Sequence, residues 1–549
     1  MHKLTFASLL TLGLALLPST VFAAPPTVIT LPPTGISESG VTLNGNVTAD
    51  GGSGITGRGF VYSVNSVDPT PTIGEANVTQ VQNSSGTTGF YQNFLFSGLA
   101  GSTTYAVAAY AINADGTSYG AVLTFTTKAP RETLISNQPA ATLLLPYFEV
   151  DLDNPQGVTT LFSINSATDD AVLTNVVIWS DLGVPVFNFN VYLTGYDVQA
   201  INLRDILVTG LLPRTASFGQ DPADTISPKG PISSDGTFAS CSDVLPYDPL
   251  DAAMLAHVQA SLTGQASPLS GQCSAVNYNS TPRLARGYVT IDVVSSCGLI
   301  PGDPGYFING GLGTATNDNV LWGDYFYANP SVNRAEGDPL VHITASETDS
   351  ELNTPGQYTF YGRQIFFTAA DNREPLATSF AVRYINYDFK EPKKNRVRER
   401  TRDLGTDLVV WRDSKVKQNQ FACAGLPSWY PLGQEGIVIF DETEEPQSTQ
   451  PPQVAPLPPF LDILPFKAAT QRVRVNTPTL PTMFSSGWMY LNLNTVVVSS
   501  FNPPEDPAAA QAWVTTLLDV RRSGRYAVGF RGIRLDSAKT ATHVIPGGF

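Results

Sequence analysis

The residues best suited to chemistry lie in one short stretch. Trp322, Asp324, Tyr325, Phe326 and Tyr327 are followed closely by Glu336 and Asp338. Aromatic faces stack on sugar rings, and a pair of carboxyls is what glycosidic cleavage needs, one to give a proton and one to attack or activate water. The same residues on strands are also ordinary core aromatics beside Gly-Asp turns. Oxygen donors crowd twice more, at Asp151, Asp153 and Asn154, and at Asp318, Asn319 and Asp324. Either set has calcium-type ligands, but Pro155 stands where an EF-hand loop needs another donor, so both read as solvated loops.

Familiar catalytic strings occur in the wrong settings. Gly116-Thr117-Ser118-Tyr119-Gly120 spells GxSxG, which exposes a nucleophile only at a sharp strand-to-helix turn; here it falls in a hairpin between two expected strands. Gly52 to Gly57 spells GxGxxG, but a strand follows it, so no helix N-terminus faces a pyrophosphate. Leu31-Pro32-Pro33-Thr34-Gly35 matches a sortase anchoring string at the wrong end of the chain and reads as linker. Phe549 ends the chain as in outer-membrane barrels, yet Pro546-Gly547-Gly548 break the alternation a last barrel strand needs. No catalytic residue, metal site or cofactor is assigned, and the ligand is left unknown.

The four cysteines are Cys241, Cys273, Cys297 and Cys423. No pair has CxxC spacing, and few histidines accompany them, so they read as two disulfides of an oxidising compartment. Cys241 and Cys273 bracket a capped helix in an irregular region, and the expected pairing is Cys241 with Cys273 and Cys297 with Cys423.

The start of the chain supports export. Lys3 precedes an uncharged apolar run from Leu4 to Leu17, and Val21-Phe22-Ala23 forms a small-x-small cleavage site. This is the build of a signal peptide over residues 1–23, with Ala24 the expected mature N-terminus. No later stretch is apolar for long enough to be a transmembrane helix. The net charge is −15, or −16 once Lys3 is removed, which disfavours nucleic acid and anionic lipid as partners. An extracellular protein or a glycan remains as the partner class, with secreted, surface or periplasmic placement left open.

Charged residues make up only 14% of the 549, with 46 Gly and 42 Pro, a composition suited to β-sandwiches rich in turns. Val41, Leu43, Gly45 and Val47 alternate with polar residues as in a half-buried strand. A second strand is expected over Gly59-Phe60-Val61-Tyr62. Leu99 to Tyr105 forms a corner whose Tyr hydroxyl can return to the backbone. Asp115-Gly116 marks a hairpin, and Val122 to Thr127 closes the unit. These residues give segment 27–128 a resemblance to the fibronectin type III family. The resemblance implies an immunoglobulin-like sandwich acting as spacer or binding module, with Phe60 and Tyr62 standing where members often carry a Trp.

A linker is expected at 129–137, then a β-rich region over 138–549 forming one or two further sandwiches. Phe187, Phe189, Val191 and Leu193 alternate with Asn188, Asn190 and Tyr192, suggesting one wet face. Irregular insertions are expected at 213–285, 388–406 and 442–465. The first holds one short helix near 249–263, with Asp248 at its cap and Leu250, Met254, Val258 and Leu262 as its stripe. The basic run Lys390 to Arg402 reads as an exposed hairpin loop. The expectation is therefore a mainly β, exported, non-enzymatic protein of structural or interaction character. The alternative is a carbohydrate-binding or carbohydrate-cleaving protein acting through Trp322, Asp324 and Tyr325.

Overall fold

The computed structural model describes residues 24–127, 138–346, 359–365, 370–390, 401–413, 419–446, 468–493 and 511–535, apart from runs of up to three residues within them. The leader, the expected linker and most of the basic run lie outside the described residues. The chain divides into two compact units, at residues 1–129 and 130–549. The protein is mainly β, in antiparallel sheets that stack like sandwiches; among the described residues no sheet closes into a barrel.

The first unit has two sheets. One runs β1 (Thr27–Thr34), β2 (Val41–Ala49), β5 (Gly89–Leu95). The other runs β4 (Thr79–Asn83), β3 (Gly57–Val64), β6 (Thr104–Asn113), β7 (Gly116–Tyr119), with β8 (Leu123–Thr126) also on β6. Val41, Leu43 and Val47 face Phe60, Tyr91, Val107 and Phe125 across the core. The Tyr105 hydroxyl accepts the Ala100 N–H at 2.7 Å, the corner bond expected from sequence. Phe60 is fully buried against Tyr91, ring centres 5.0 Å apart, while Tyr62 meets Tyr105 edge-on. The Leu31 to Thr34 stretch is part of β1, not linker: Leu31 pairs with Asn44 and Thr34 with Thr42. Ser118 sits in β7 opposite Ala111, well inside a hairpin.

The second unit is organised around a five-stranded sheet ordered β12 (Pro185–Leu193), β11 (Val172–Ser180), β14 (Leu284–Val294), β9 (Thr142–Asp151), β18 (Val341–Ile343). One face packs on a sheet ordered β13 (Val198–Asn202), β10 (Thr159–Ser166), β16 (Asp324–Asn329), β17 (Arg334–Pro339), with β15 (Leu321–Trp322) on β10. Val176, Ile178, Val289 and Ile291 meet Phe162, Ile164 and Tyr325 there. The other face is covered by Trp179, Tyr288, Tyr306, Phe360, Tyr361, Trp411 and Trp513. Burial on both faces explains why β11 lacks alternation; all nine of its residues are buried.

Two more sheets complete the unit. One runs β20 (Tyr387–Lys390), β21 (Thr401–Arg412), β25 (Ala512–Arg522), β26 (Tyr526–Arg531), with β23 (Thr470–Arg474) on β21. The last runs β22 (Gly436–Phe440), β24 (Ser486–Asn492), β19 (Ser379–Ile385), β27 (Arg534–Leu535). Leu408, Val410 and Val514 pack against Val382, Met489 and Leu491 between them. Lys390 pairs with Thr401, so strands flank the basic run as a hairpin requires.

Four expectations need correction. The helix in the first insertion, α2 (Ala252–Leu262), is capped by Asp251, which accepts the Met254 N–H at 2.7 Å; Asp248 lies upstream. A second helix, α1 (Leu203–Thr209), had its signals in view: Asn202 caps it and Gly210 ends it at φ 72°. A third, α3, is the single turn Gly362–Ile365. The wet face of β12 is absent at its end, since Asn190 and Tyr192 are both 3% exposed. The first insertion folds over them, with Tyr247 accepting the Asn190 N–H and Thr215 the Tyr192 N–H.

The disulfides join Cys241 to Cys297 and Cys273 to Cys423. This overturns the expected partners. Cys241 is buried in the cluster on the outer face of β11 and β14, beside the chain leaving β14 at Val294. Cys273 forms a two-way backbone bridge with Phe421, which brings Cys423 alongside. Sequence proximity across a helix gave way to neighbours chosen by sheet packing.

Candidate functional site

The Trp322 region separates when folded. In β16 the alternation puts Tyr325 and Tyr327 inside, at 1% and 2% exposure, while Phe326 is 48% exposed and Trp322 47%. The two outward rings contradict the expectation that these strands bury their aromatics. Tyr327 stands opposite Glu336 and Tyr325 opposite Asp338 across β16 and β17. Asp324, an odd number of residues from Tyr327, is on the opposite face from Glu336. It accepts the Ser163 hydroxyl at 2.7 Å. Asp338 accepts the Thr515 hydroxyl. Asp324 and Glu336 therefore do not converge.

The calcium-like groups are similarly occupied. Asp151 accepts the N–H groups of Asp153 and Asn154 in a turn, and Asp153 pairs with Arg283 at 2.8 Å. Asp318 accepts the Thr316 hydroxyl, and Asn319 takes the N–H groups of Ala141 and Ala345. Among the described residues no three His, Cys, Asp or Glu gather as a metal site. His257 contacts Ser267 and His342 contacts the Gln138 carbonyl; His543 is outside the described residues.

What the fold does assemble is a cavity of about 670 Å³ in the second unit. Tyr327 and Glu336 come from β16 and β17. Tyr147 and Glu149 come from β9, where Pro146 has no N–H for the ladder and the register with β14 shifts between Gly287 and Val289. Arg286 lies opposite Glu149 on β14. Asp407 of β21 faces Arg474 of β23, with Arg472 two residues away on the same side. Arg334 and Tyr278 complete the charged and aromatic lining.

The floor is an ion-pair network. Arg472 reaches Glu336 at 2.6 Å and also bonds Asp407. Arg474 bonds Asp407 at 3.0 Å and Arg334 bonds Glu336 at 2.8 Å. The Glu336 side chain is 1% exposed and that of Asp407 8%, depths at which an unpaired carboxylate is prohibitive. Burial alone would raise the Asp407 carboxyl, but Arg472 and Arg474 outweigh it and hold it below the usual range. Burial works against the Arg472 charge, and Asp407 and Glu336 more than restore it. Burial also pushes the Tyr147, Tyr278 and Tyr327 hydroxyls upward, so they keep their protons.

The rim is less committed. Arg286 meets Glu149 only through Nε at 3.5 Å, and its guanidinium lies 4.8 Å from the Tyr278 ring centre. The Tyr147 hydroxyl donates to Glu149 Oε2 at 2.6 Å. Behind the rim, Tyr278 donates to the buried Asp181, whose carboxyl burial pushes up to about 7.

Of the residues singled out from sequence, Tyr327 and Glu336 line this cavity. The others that build it are spread from Tyr147 to Arg474. One signal was available. Glu149, Arg286, Asp407, Arg472 and Arg474 are charged residues inside otherwise apolar or β-branched runs, a pattern that demands buried partners.

No protein-family model matches the chain, and no curated protein matches it. Among solved structures, similarity was found to the sensor domain of the anti-sigma factor RsgI4 of Pseudobacteroides cellulosolvens, at 19% identity, 19% of this chain, 97% of that one and TM-score 0.16. An α-L-rhamnosidase of Streptomyces avermitilis in complex with L-rhamnose aligns at 10% identity over 92% of this chain and 40% of the enzyme, TM-score 0.13. An α-L-rhamnosidase of Dictyoglumus thermophilum aligns at 8% identity over 89% and 48%, TM-score 0.17. This chain thus spans less than half of either enzyme, and at such scores none of the three informs fold or function.

Proposed function

We propose that the protein is an exported, non-enzymatic protein of structural or interaction character, secreted, surface-bound or periplasmic. The first unit is a fibronectin type III-like spacer or adhesive module. Its three-stranded sheet of β1, β2 and β5 against β4, β3, β6 and β7, and its Tyr105 corner, support that reading. The second unit is a binding platform for an extracellular protein or glycan. Two disulfides are compatible with a place outside the cytoplasm, and no described helix is long and apolar enough to cross a membrane.

The observation that carries the non-enzymatic reading is the pairing of the cavity floor. A sugar-cleaving site needs one carboxyl that keeps its proton near neutral pH beside one that does not. Here Glu336 and Asp407 share one guanidinium, and Asp407 is driven away from proton retention. Such a floor holds geometry and charge without moving protons.

Two measurements test this. Fractionation of the native host's cells is expected to find the mature chain, beginning at Ala24, outside the cytoplasm. Incubation with a glycan library is expected to release no new reducing ends. Cytoplasmic residence, or turnover abolished in Asp407→Asn or Asp324→Asn with the fold intact, overturns the proposal.

A further inference from the structure

We infer that the cavity between β9, β14, β17 and β23 binds a short acidic saccharide, of the uronic acid class, through Arg286 and Glu149. The inference rests on the binding-protein reading above and names the ligand of the same platform.

Size comes first. About 670 Å³ falls within the range of small-molecule clefts, roughly 300–1,000 Å³, and suits a few sugar rings better than a protein side chain. Charge comes second. Four arginines, at 286, 334, 472 and 474, face three carboxylates, at 149, 336 and 407, so the lining is net +1 in a chain of net −15. A ligand entering the site meets one uncompensated positive charge, which selects a monoanion over a neutral or cationic group.

Hydrogen-bonding capacity decides where it binds. The floor is saturated by its own ion pairs, but the rim is not. Among the described residues both Nη groups of Arg286 and the Oε1 of Glu149 make no hydrogen bond. A planar guanidinium with two free edges grips a carboxylate bidentately. A carboxylate oxygen beside it accepts from neighbouring hydroxyls. Donor fork and acceptor together match a sugar that carries both a carboxylate and hydroxyls. The Glu149 carboxylate would repel a simple dicarboxylate, so a polyhydroxylated monoanion fits better. Tyr147 and Glu149 are held by Tyr327, which donates to the Tyr147 carbonyl at 2.8 Å, so the site is organised before any ligand arrives.

The test titrates the full chain with a galacturonic acid trisaccharide and with the neutral galactose trisaccharide of the same linkage, by calorimetry. The acidic sugar is expected to bind at least about tenfold more tightly than the neutral one. Arg286→Gln is expected to lower that affinity about tenfold, with tryptophan fluorescence checking the fold. Should the variant misfold, the wild type alone decides: raising salt from about 50 to about 500 mM must weaken acidic-sugar binding and leave neutral-sugar binding nearly unchanged. Equal affinity for both sugars, no binding of either, or salt-independent binding overturns the inference. Mass spectrometry of the recovered sugar separates the two readings. Cleaved sugar defeats the non-enzymatic proposal, whereas intact sugar that never bound defeats only the ligand assignment.

Discussion

Replacing Asp181 by Asn is expected to remove most of one pH-dependent loss of stability in the second unit. Asp181 follows β11 and is 1% exposed. Its carboxylate accepts the Val276 N–H at 3.1 Å and the Tyr278 hydroxyl at 2.9 Å, too little to offset burial, and the carboxyl is pushed up to about 7. The unfolded chain returns it to the usual 3.8. The folded state therefore binds the proton more tightly. Its favourable contribution is complete below about pH 4, falls as pH rises through the interval to about 7, and is gone above it. A gap of about three units corresponds to an upper bound of about 4 kcal/mol at 1.36 kcal/mol per unit. Asn mimics the neutral carboxyl, so Asp181→Asn should match the wild type at pH 4 and exceed it by up to about 4 kcal/mol at pH 8. Burial likewise raises Asp371, to about 6, but that slope is common to both proteins and cancels in their difference. All six tryptophans lie in the second unit, so tryptophan fluorescence during urea unfolding reports this unit alone. A wild-type-to-variant difference that stays constant within about 0.5 kcal/mol from pH 4 to 8 would refute the reasoning.

Three other outcomes are expected. Arg472→Met takes one arginine from the buried Glu336 and Asp407, each of which keeps a second; a loss of about 3 kcal/mol is expected in the same urea assay, and under about 1 kcal/mol would mean the network is not stabilising. Tyr105→Phe removes the bond from the Ala100 N–H, and because Ala100 is exposed to water the cost should stay near 1 kcal/mol, read as faster hydrogen exchange at that amide. Non-reducing peptide mapping should recover Cys241 with Cys297 and Cys273 with Cys423; closing separations of 56 and 150 residues contributes about 4 and about 5 kcal/mol in the chain-entropy model, and four free thiols in exported protein would contradict the assignment.

Local pattern was legible where neighbours along the chain decide structure. The alternation of Val41, Leu43, Gly45 and Val47 became a strand with those side chains inside, because period 2 is a property of one strand. Met254, Val258 and Leu262 became the packed stripe of α2 for the same kind of reason at helical period, and the Tyr105 corner closed within five residues. The composition foretold a mainly β protein. What the sequence could not order was everything set by register and sheet stacking. Which cysteines meet depended on Cys273 bridging Phe421. Whether β12 kept a wet face depended on an insertion lying across it. The Trp322 cluster looked like one site, yet β16 sends successive side chains to opposite faces, so Asp324 and Glu336 parted while Tyr327 and Glu336 joined arginines from distant strands. Charges isolated in apolar strands announced that partners must exist, since burial forbids them otherwise. Only the meeting of β9, β14, β17, β21 and β23 determined which partners those were.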